Sequence, residues 1–354
     1  MTSIDLKADI VADLGLGHIK LTEVVPQAVP ICGSEYGPAE GILPLREAIA
    51  VWEGVSVDEI IITTGASLGL VAVLATLERP GSILCPRPHY PAYPNVARML
   101  GFEVIYYDLE ETQQWQPNPE QIARLVREDT RALLWNFPNN PTGSLPSASL
   151  LEEITSLVSQ TDLLIISDEV YADLVYDGVS FPDTKTVFKN STVIRLRSFS
   201  KLFGMPGERL GYVVADADWA QIICRAHWSI AMSSPATAQA IALRLLSIEP
   251  EKRVEKLCAA LADNRNCVMQ ILAGCRKAKC QVPPAGIFCW IEVPYCSLDS
   301  RTLARACASD AGVIVMPGAV FGMDNRTFLR ASFAVSKEEA IRGFGALSTL
   351  LDHL

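Results

Sequence analysis

Short apolar runs alternate with longer periodic segments over the first 216 residues of the chain. Apolar runs of about four to eight residues are typical of buried strands, and an apolar residue at every third or fourth position is typical of helices. Their alternation predicts an α/β fold in which helices sandwich a mainly parallel seven-stranded sheet. The seven predicted strands cover residues 59–63, 82–85, 103–107, 132–136, 163–167, 192–196 and 210–214.

Beyond residue 216 the pattern is mostly helical and includes a long periodic stretch over about 236–272. A strand and a turn are predicted over 282–293, further strands over 313–315 and 327–333, and helices over 300–311 and 337–351. We interpret this part as contributing to a smaller α/β domain made from the two chain ends. The predicted divisions are an N-terminal arm at 1–32, which joins that small domain, a large domain at 33–272 and a small C-terminal domain at 273–354.

The composition narrows the class of partner. The chain has 354 residues, with 40 acidic side chains against 30 Lys and Arg, so its formal net charge is −10. Nucleic-acid binding needs clustered basic residues, which this sequence lacks, so small-molecule partners are favoured. The 10 cysteines are scattered and there are only 4 histidines, so we predict neither a disulfide framework nor a metal site.

Two segments bear on membranes and location. The first 20 residues carry acids and no apolar run, which argues against a secretory signal. Residues 60–77 carry no charge and approach the length of a membrane span, but Gly65 and Gly69 divide them into a strand, a turn and a helix. We therefore predict no membrane segment and a cytoplasmic protein.

Candidate chemistry follows the predicted strands, because ligands of parallel α/β sheets bind beyond the carboxyl ends of the strands. After strand 59–63, a glycine turn with Ala66 and Ser67 opens a helix whose N-terminus is suited to an anion such as phosphate. Asp168 follows strand 163–167 and needs a partner in an apolar setting. A cationic ring nitrogen would be such a partner, and a helix N-cap is the alternative role.

The segment after strand 192–196 carries Lys201 between Ser198 and Arg209. A lysine with a lowered pKa is a nucleophile that forms Schiff bases, and an arginine offers a fork of donors to phosphate. Asn140 follows another strand in a proline-flanked loop, which would hold its amide rigidly toward a ring hydroxyl or a carboxylate. An ordinary turn-rich loop is the alternative there.

Seven motifs occur together in a specific order and spacing. They are YGPAEG at 36–41, GAS at 65–67, PHYPAY at 88–93, NNPTG at 139–143, DEVY at 168–171, the segment from SFSK to RLGY at 198–212 and FLRASFA at 328–334. In this combination they resemble the fold type I pyridoxal-phosphate enzymes of the class I and II aminotransferase group, from about residue 14 to the C-terminus. The resemblance implies pyridoxal 5'-phosphate as cofactor, amino-acid and keto-acid substrates, and transamination of an L-amino acid through an external aldimine and a quinonoid.

The resemblance also implies roles for the matching residues in the predicted large, cofactor-binding domain. Lys201 would be the Schiff-base lysine and the proton shuttle. The residues implied to hold the cofactor's phosphate are Ala66, Ser67, Ser198 and Arg209. The residues implied to contact its ring are Tyr90, by stacking, Asp168, at the ring nitrogen, and Asn140 and Tyr171, at the phenolic oxygen.

Substrate and partner contacts are implied in the same way. Arg330 matches the arginine that binds the substrate carboxylate, and Asn140 lies in the same site. Tyr36 matches a tyrosine that reaches the phosphate of a partner subunit, which implies a homodimer with shared active sites. Gly17 and His18 lie where the arm of this family closes over the substrate, so they are candidate substrate contacts; a surface or packing role is the alternative for His18.

The arm departs from the family pattern, because His18 and Ile19 stand in place of a Gly-x-Pro-Asp-like segment and the stretch to Tyr36 is short. Three hypotheses follow. The first is an aminotransferase. The second is a related enzyme of elimination or cyclisation, like the guanidino-amino-acid cyclases of the capreomycidine or enduracididine synthase type that act on hydroxyarginine. The third is a ligand sensor, which the acidic chain and the lack of a preceding DNA-binding module disfavour.

No motif marks a second substrate-binding arginine; Arg46, Arg87 and Arg197 are the candidates.

Overall fold

We describe the fold from a computed structural model of the chain, in which residues 12–15 and 36–354 are described. Within these residues the strands are β1 (Ala12–Asp13), β2 (Ile60–Thr63), β3 (Ser82–Arg87), β4 (Glu103–Glu110), β5 (Gln116–Pro117), β6 (Thr130–Asn136), β7 (Leu164–Asp168), β8 (Val193–Ser198), β9 (Gly211–Val214), β10 (Lys279–Cys280), β11 (Phe288–Glu292), β12 (Val313–Ile314), β13 (Met316–Pro317) and β14 (Phe328–Ser332). The helices are α1 (Leu43–Glu53), α2 (Gly65–Ala75), α3 (Ala92–Met99), α4 (Pro119–Leu125), α5 (Ala148–Val158), α6 (Thr184–Val187), α7 (Phe199–Leu202), α8 (Ala217–Ala231), α9 (Ala236–Leu246), α10 (Pro250–Ala273), α11 (Ser300–Ala311) and α12 (Lys337–His353).

The large sheet has eight strands in the order β2-β9-β8-β7-β6-β3-β4-β5. Strands β4, β3, β6, β7 and β8 run parallel, whereas β9 is antiparallel to both of its neighbours. The seven predicted strands are all present, so the predicted mainly parallel α/β sheet is confirmed. The eighth strand, β5, pairs antiparallel at the edge and is only two residues long, too short to leave a pattern in the sequence.

Both faces of this sheet are covered by helices, which is why its strands are apolar without alternation. On β3, Ile83 and Cys85 pack into a cluster with residues of α2, α3 and α8. Leu84, between them, packs on the opposite face with residues of α4 and α5. Alternate side chains of one strand therefore enter two cores, and the sandwich follows from burial on both faces.

The uncharged stretch at 60–77 forms β2, a turn and α2, as its glycines predicted. In the described part of the chain, no helix is both long enough and apolar enough to cross a membrane. The cytoplasmic location stays a prediction.

The later part of the chain builds two smaller sheets. Strands β10, β11, β14 and β13 form an antiparallel sheet, and β1 pairs in parallel with β12. The Leu14 carbonyl accepts a hydrogen bond from the Ser332 N–H at 2.7 Å, so residues 12–15 are joined to the C-terminal part of the chain. The periodic stretch at 236–272 is two helices, α9 and α10, with Pro250 at the first position of the second. The boundaries at 32 and 272 stay predictions.

Candidate active site

A cavity of about 230 Å³ lies at the carboxyl ends of the central parallel strands. Strand register brings its polar residues together, because Asn136 pairs with Asp168 and Asp168 pairs with Leu196, two residues before Ser198. The predicted site residues that line the cavity are Ala66, Ser67, Tyr90, Asn140, Asp168, Tyr171, Ser198, Lys201, Arg209 and Arg330.

One end of the cavity is built for an anion. Helix α2 begins at Gly65, and the first backbone N–H groups of a helix lack partners within the helix and carry partial positive charge. Gly211 pairs with Thr63 on one side and with Ser198 on the other, so the two loops meet there. A Cβ at Gly211 would lie 2.7 Å from the Ala66 nitrogen, so only glycine permits this approach.

Arg209 adds a cation to the same end. Its backbone adopts a left-handed conformation with φ of 55°, a strained state that is typical of functional sites. Its Nη1 donates to the Pro206 carbonyl at 2.9 Å. A Cβ at Gly65 would lie 2.8 Å from Nη2 of Arg209, so the absence of a side chain at Gly65 makes room for the guanidinium.

Lys201 lies in α7, directly after β8. Burial lowers the pKa of Lys201 to about 8, and the positive charges of Arg330 and Arg209 act in the same direction. The Nζ lies 5.9 Å from the centre of the Tyr171 ring. Burial raises the pKa of Tyr171, so that its hydroxyl stays protonated at neutral pH.

Asp168 ends β7 with both carboxylate oxygens hydrogen-bonded. Oδ2 accepts from the Tyr93 hydroxyl at 2.6 Å, and Oδ1 accepts from the Val170 N–H at 3.2 Å. Burial raises the pKa of Asp168, while these two bonds and the charge of Lys201 oppose the rise. A carboxylate so placed is suited to a cationic partner inside the cavity.

Arg330, on β14, is buried and held from several sides. Nη1 donates to Asn140 Oδ1 at 2.8 Å, and Nη2 donates to the Gly15 carbonyl at 3.0 Å. The guanidinium carbon lies 3.8 Å from the ring centre of Phe288 and 4.8 Å from that of Phe321. Its Nε has no hydrogen-bond partner among the described residues, which leaves a buried donor for a carboxylate. Burial lowers the pKa of Arg330 to about 10, so it stays charged at neutral pH.

The amide of Asn140 is fixed by the loop that carries it. Its backbone N–H donates to Asn136 Oδ1 at 3.1 Å, and its own Oδ1 is taken by Arg330. The Asn136 amide also donates to the Asp168 carbonyl at 3.3 Å. The loop after β6 is therefore tied to the end of β7.

Of the predicted site residues that the structure describes, Tyr36 does not line the cavity. Tyr36 has 80% of its surface exposed, and Gly17 and His18 lie outside the described residues. The three candidate second arginines lie elsewhere too. Arg46 donates to the backbone carbonyls of Val57 and Ile60. Arg87 forms an ion pair with Asp108 at 2.7 Å. Arg197 is buried and forms an ion pair with Glu53 at 2.9 Å. None of these three arginines lines the described cavity.

Comparison with known proteins assigns this architecture to a family. The family model "Aminotransferase class I and II" matches residues 33–346. The chain is 27% identical to an aspartate aminotransferase of Pyrococcus horikoshii, covering 98% of this chain and 92% of that protein. It is 30% identical to aromatic-amino-acid aminotransferase 2 of Thermococcus litoralis, covering 91% and 85%. The crystal structure of an aromatic aminotransferase from Pyrococcus horikoshii superposes with a TM-score of 0.87 at 25% identity, covering 98% and 96%.

The chain belongs to the class I and II aminotransferases. Members of this family depend on pyridoxal 5'-phosphate, so the predicted enzyme class and cofactor are confirmed. The cavity of this aminotransferase fits that cofactor. The space that Gly65 and Gly211 leave open beside Ala66 and Arg209, which we call the phosphate cradle, suits a phosphate. The amine of Lys201 suits an aldehyde, and the carboxylate of Asp168 suits a ring nitrogen.

Tyr93, Asn136 and Phe288 are among the residues that line the cavity of this aminotransferase and that the sequence did not assign to the site. Tyr93 belongs to the same PHYPAY motif as Tyr90 and comes three positions later, at the start of a helix, so helical spacing could have placed it on the same face. Asn136 ends a predicted strand beside Asp168, which was a usable signal. Phe288 comes from a different sheet, and no local pattern indicates its contact with Arg330.

Proposed function

We propose that the cavity is the site where an L-amino acid is converted to its keto acid, with Lys201 as the residue that binds the cofactor covalently. The observation that carries the proposal is the meeting of Lys201, Asp168, Arg209 and Arg330 in one cavity. Lys201 supplies an amine and Asp168 supplies a carboxylate. Arg209 would bind a phosphate group, and Arg330 would bind the carboxylate of a substrate.

Pyridoxal phosphate supplies, when bound, an electron sink for the negative charge that develops at the substrate Cα. Lys201 would contribute an amine with a lowered pKa, which can accept the proton held at the substrate Cα and return it. Because burial and the positive charges of Arg330 and Arg209 lower its pKa, a larger fraction of this amine is neutral than in an ordinary lysine.

The remaining residues of the cavity orient the cofactor. Those proposed to hold its phosphate are Ala66, Ser67, Ser198 and Arg209. Ser198 Oγ accepts from the Ser200 N–H at 3.1 Å, which leaves its hydroxyl proton for the phosphate. Those proposed to contact the ring are Tyr90, Asn140, Asp168 and Tyr171.

Arg330 is proposed to bind the substrate α-carboxylate. Two aromatic rings fix the plane of its guanidinium, and Asn140 with the Gly15 carbonyl fixes its rotation. A preset guanidinium loses little freedom when it binds a carboxylate through two bonds. A carboxylate bound in this way would fix where the substrate Cα lies in the cavity.

The relatives named above are aminotransferases of aspartate and of aromatic amino acids. For this enzyme we propose an L-amino acid as substrate and do not specify its side chain. Apart from Arg209, which is proposed to hold the phosphate, the described lining residues include no arginine besides Arg330, so a dicarboxylate preference is not proposed. The elimination or cyclisation hypothesis rested on His18, Ile19 and the short stretch before Tyr36, which lie outside the described residues. No observation favours it over transamination.

A single-turnover experiment separates the two reactions. The holoenzyme is mixed with each of the common L-amino acids, and with hydroxyarginine, in the absence of any keto acid. Transamination predicts one equivalent of keto acid per site and conversion of the cofactor to pyridoxamine phosphate, detected by mass spectrometry. A dehydrated or cyclised amino acid with the pyridoxal form retained would contradict the proposal, as would the absence of product with every compound.

We propose in addition that the enzyme is a homodimer in which Tyr36 reaches the phosphate of the partner subunit. Support comes from the 80% exposure of Tyr36 and from the exposed apolar residues Trp228, Ile230 and Met232 around the end of α8. Light scattering should give twice the chain mass, and Tyr36→Phe should weaken cofactor binding while leaving that mass unchanged. A monomer with full activity would refute the arrangement.

A further inference from the structure

Tyr93 is a buried residue of the cavity to which the proposed chemistry has so far given no part. Only 1% of its surface is exposed, and it lies on α3 with its hydroxyl 2.6 Å from Asp168 Oδ2. We propose that Tyr93 is a positioning residue for transamination, one that holds the Asp168 carboxylate charged and aimed at the ring nitrogen of the cofactor. This inference rests on the proposed role of Asp168.

The direction of the hydrogen bond is set by chemistry. The phenol is fully buried beside a carboxylate, and both conditions raise the pKa of Tyr93 well above its ordinary value. The hydroxyl is therefore protonated and donates to Asp168. A hydrogen bond to a charged acceptor stabilises the charged form, so Tyr93 opposes the effect of burial on Asp168.

The geometry also fixes where the carboxylate points. The Val170 N–H holds Oδ1 at 3.2 Å, and the Asn136 amide holds the backbone carbonyl of Asp168. The Tyr93 hydroxyl donates to Oδ2 at 2.6 Å, from the other side of the carboxylate. The tyrosine is thus the contact that selects one orientation of the side chain.

Tyr93 also joins Asp168 to the stacking side of the site. Its ring packs edge-on against the ring of Tyr90, with centres 5.5 Å apart and planes at 78°. Tyr90 is the residue proposed to stack on the cofactor. Tyr93 therefore contacts both the residue proposed to bind the ring nitrogen, Asp168, and the residue proposed to stack on the ring, Tyr90.

The test compares Tyr93→Phe with Tyr107→Phe in the holoenzyme. Tyr107 is a matched control, because it is equally buried and its hydroxyl donates to the Leu134 carbonyl at 2.7 Å, outside the cavity. The measured quantities are kcat and KM for the best amino acid, and the ¹⁵N signal of the ring nitrogen in holoenzyme made with labelled cofactor.

Loss of a hydrogen bond to a charged group predicts that Tyr93→Phe lowers kcat about 10- to 100-fold with little change in KM. The ring-nitrogen signal should move toward that of unprotonated pyridine. Tyr107→Phe should change neither quantity. Equal kcat and equal nitrogen signals in the two variants would overturn the inference, whereas a wild-type enzyme that converts no amino acid would overturn the proposed function itself.

Removal of the hydroxyl could prevent recovery of the holoenzyme, so a second variant preserves the packing. Incorporation of 3-fluorotyrosine at position 93 keeps the shape of the ring and makes the phenol a stronger donor. A nitrogen signal that stays at the protonated position, with kcat near that of the wild type, supports the inference, and a signal shifted toward unprotonated pyridine overturns it.

Discussion

The amine of Lys201 is placed where its charged form is disfavoured by burial and by two nearby cations. An ordinary lysine, with a pKa of about 10.4, is unprotonated in fewer than about one molecule in a thousand at pH 7. With a pKa of about 8, roughly a tenth of the Lys201 amine is neutral at that pH. This gain in the reactive form comes from the environment of one residue and requires no general base.

Arg330 gives a residue-scale prediction about substrate affinity. Arg330→Lys keeps the positive charge but loses the planar fork that binds a carboxylate through two bonds. We expect kcat/KM for the preferred amino acid to fall about 100-fold, mainly through KM, because about 3 kcal/mol of charge-assisted hydrogen bonding is lost.

The matched control for that change is Arg326→Lys. Arg326 also lies against an aromatic ring, with its guanidinium carbon 4.9 Å from the centre of the Phe328 ring, but it does not line the cavity. Steady-state kinetics should show near wild-type values for this control. Equal losses in the two variants would mean that Arg330 acts through stability instead of substrate binding.

At the scale of elements, the site depends on how closely three segments approach at the edge of the large sheet. Strand β9 lies antiparallel between β2 and β8, and its first residue, Gly211, is where the start of α2 and the end of β8 meet. The phosphate cradle is thus set by backbone packing and not by side chains alone.

Gly211→Ala tests this packing. Its Cβ would lie 2.7 Å from both the Ala66 nitrogen and the Arg197 carbonyl oxygen, two backbone atoms that cannot rotate away. Overpacking of this kind predicts a loss of about 1–3 kcal/mol in the free energy of unfolding, together with weaker binding of the cofactor.

Gly207→Ala is the control for that substitution, because a Cβ at Gly207 would have no neighbour within 4 Å. Denaturant unfolding and titration with pyridoxal phosphate should detect no comparable loss in this variant. A Gly211→Ala protein with wild-type stability and cofactor affinity would show that the cradle is more yielding than the packing indicates.

The elements themselves were largely predictable, because strands buried on both faces leave continuous apolar runs and α11 has clear periodicity from Ser300 to Ala311. Strand β5 was not predictable, since two residues carry no period. Within the site, residues that follow strands were found by the rule for parallel sheets. Phe288 and the Gly15 carbonyl were not, because contacts between distant segments depend on packing that no local pattern encodes.

For the whole molecule, net charge and local charge have opposite signs. The chain has a net charge of −10, yet the described lining of the cavity carries Lys201, Arg209 and Arg330 against the single carboxylate of Asp168. An acidic protein thereby presents a local positive potential to a phosphate and to a carboxylate. The distribution of charge, and not its sum, sets the ligand class.

Acid stability gives a prediction for the whole molecule. Burial lowers the pKa of His89 to about 4, with the positive charges of Arg98 and Arg87 acting in the same direction, whereas an unfolded histidine titrates near pH 6.5. The unfolded state therefore binds the proton first, so the contribution of His89 is complete above about pH 6.5 and is lost as the pH falls toward 4. The expected slope is about 1.4 kcal/mol per pH unit.

Urea unfolding between pH 7 and pH 4.5 measures that slope. His89→Gln should reduce the pH dependence of the free energy of unfolding by about 1.4 kcal/mol per pH unit below pH 6. His353→Gln, at the exposed end of α12, is the comparison variant that removes a histidine from the surface. A His89→Gln slope equal to that of the wild type would contradict the assignment.

Covalent trapping of the cofactor tests the central claim most directly. The holoenzyme is treated with sodium borohydride, digested and mapped by mass spectrometry, so that every lysine of the chain serves as an internal comparison. The account predicts a phosphopyridoxyl group on Lys201, and none in the Lys201→Arg enzyme. A phosphopyridoxyl group on a different lysine, or none on the wild-type chain, would contradict it.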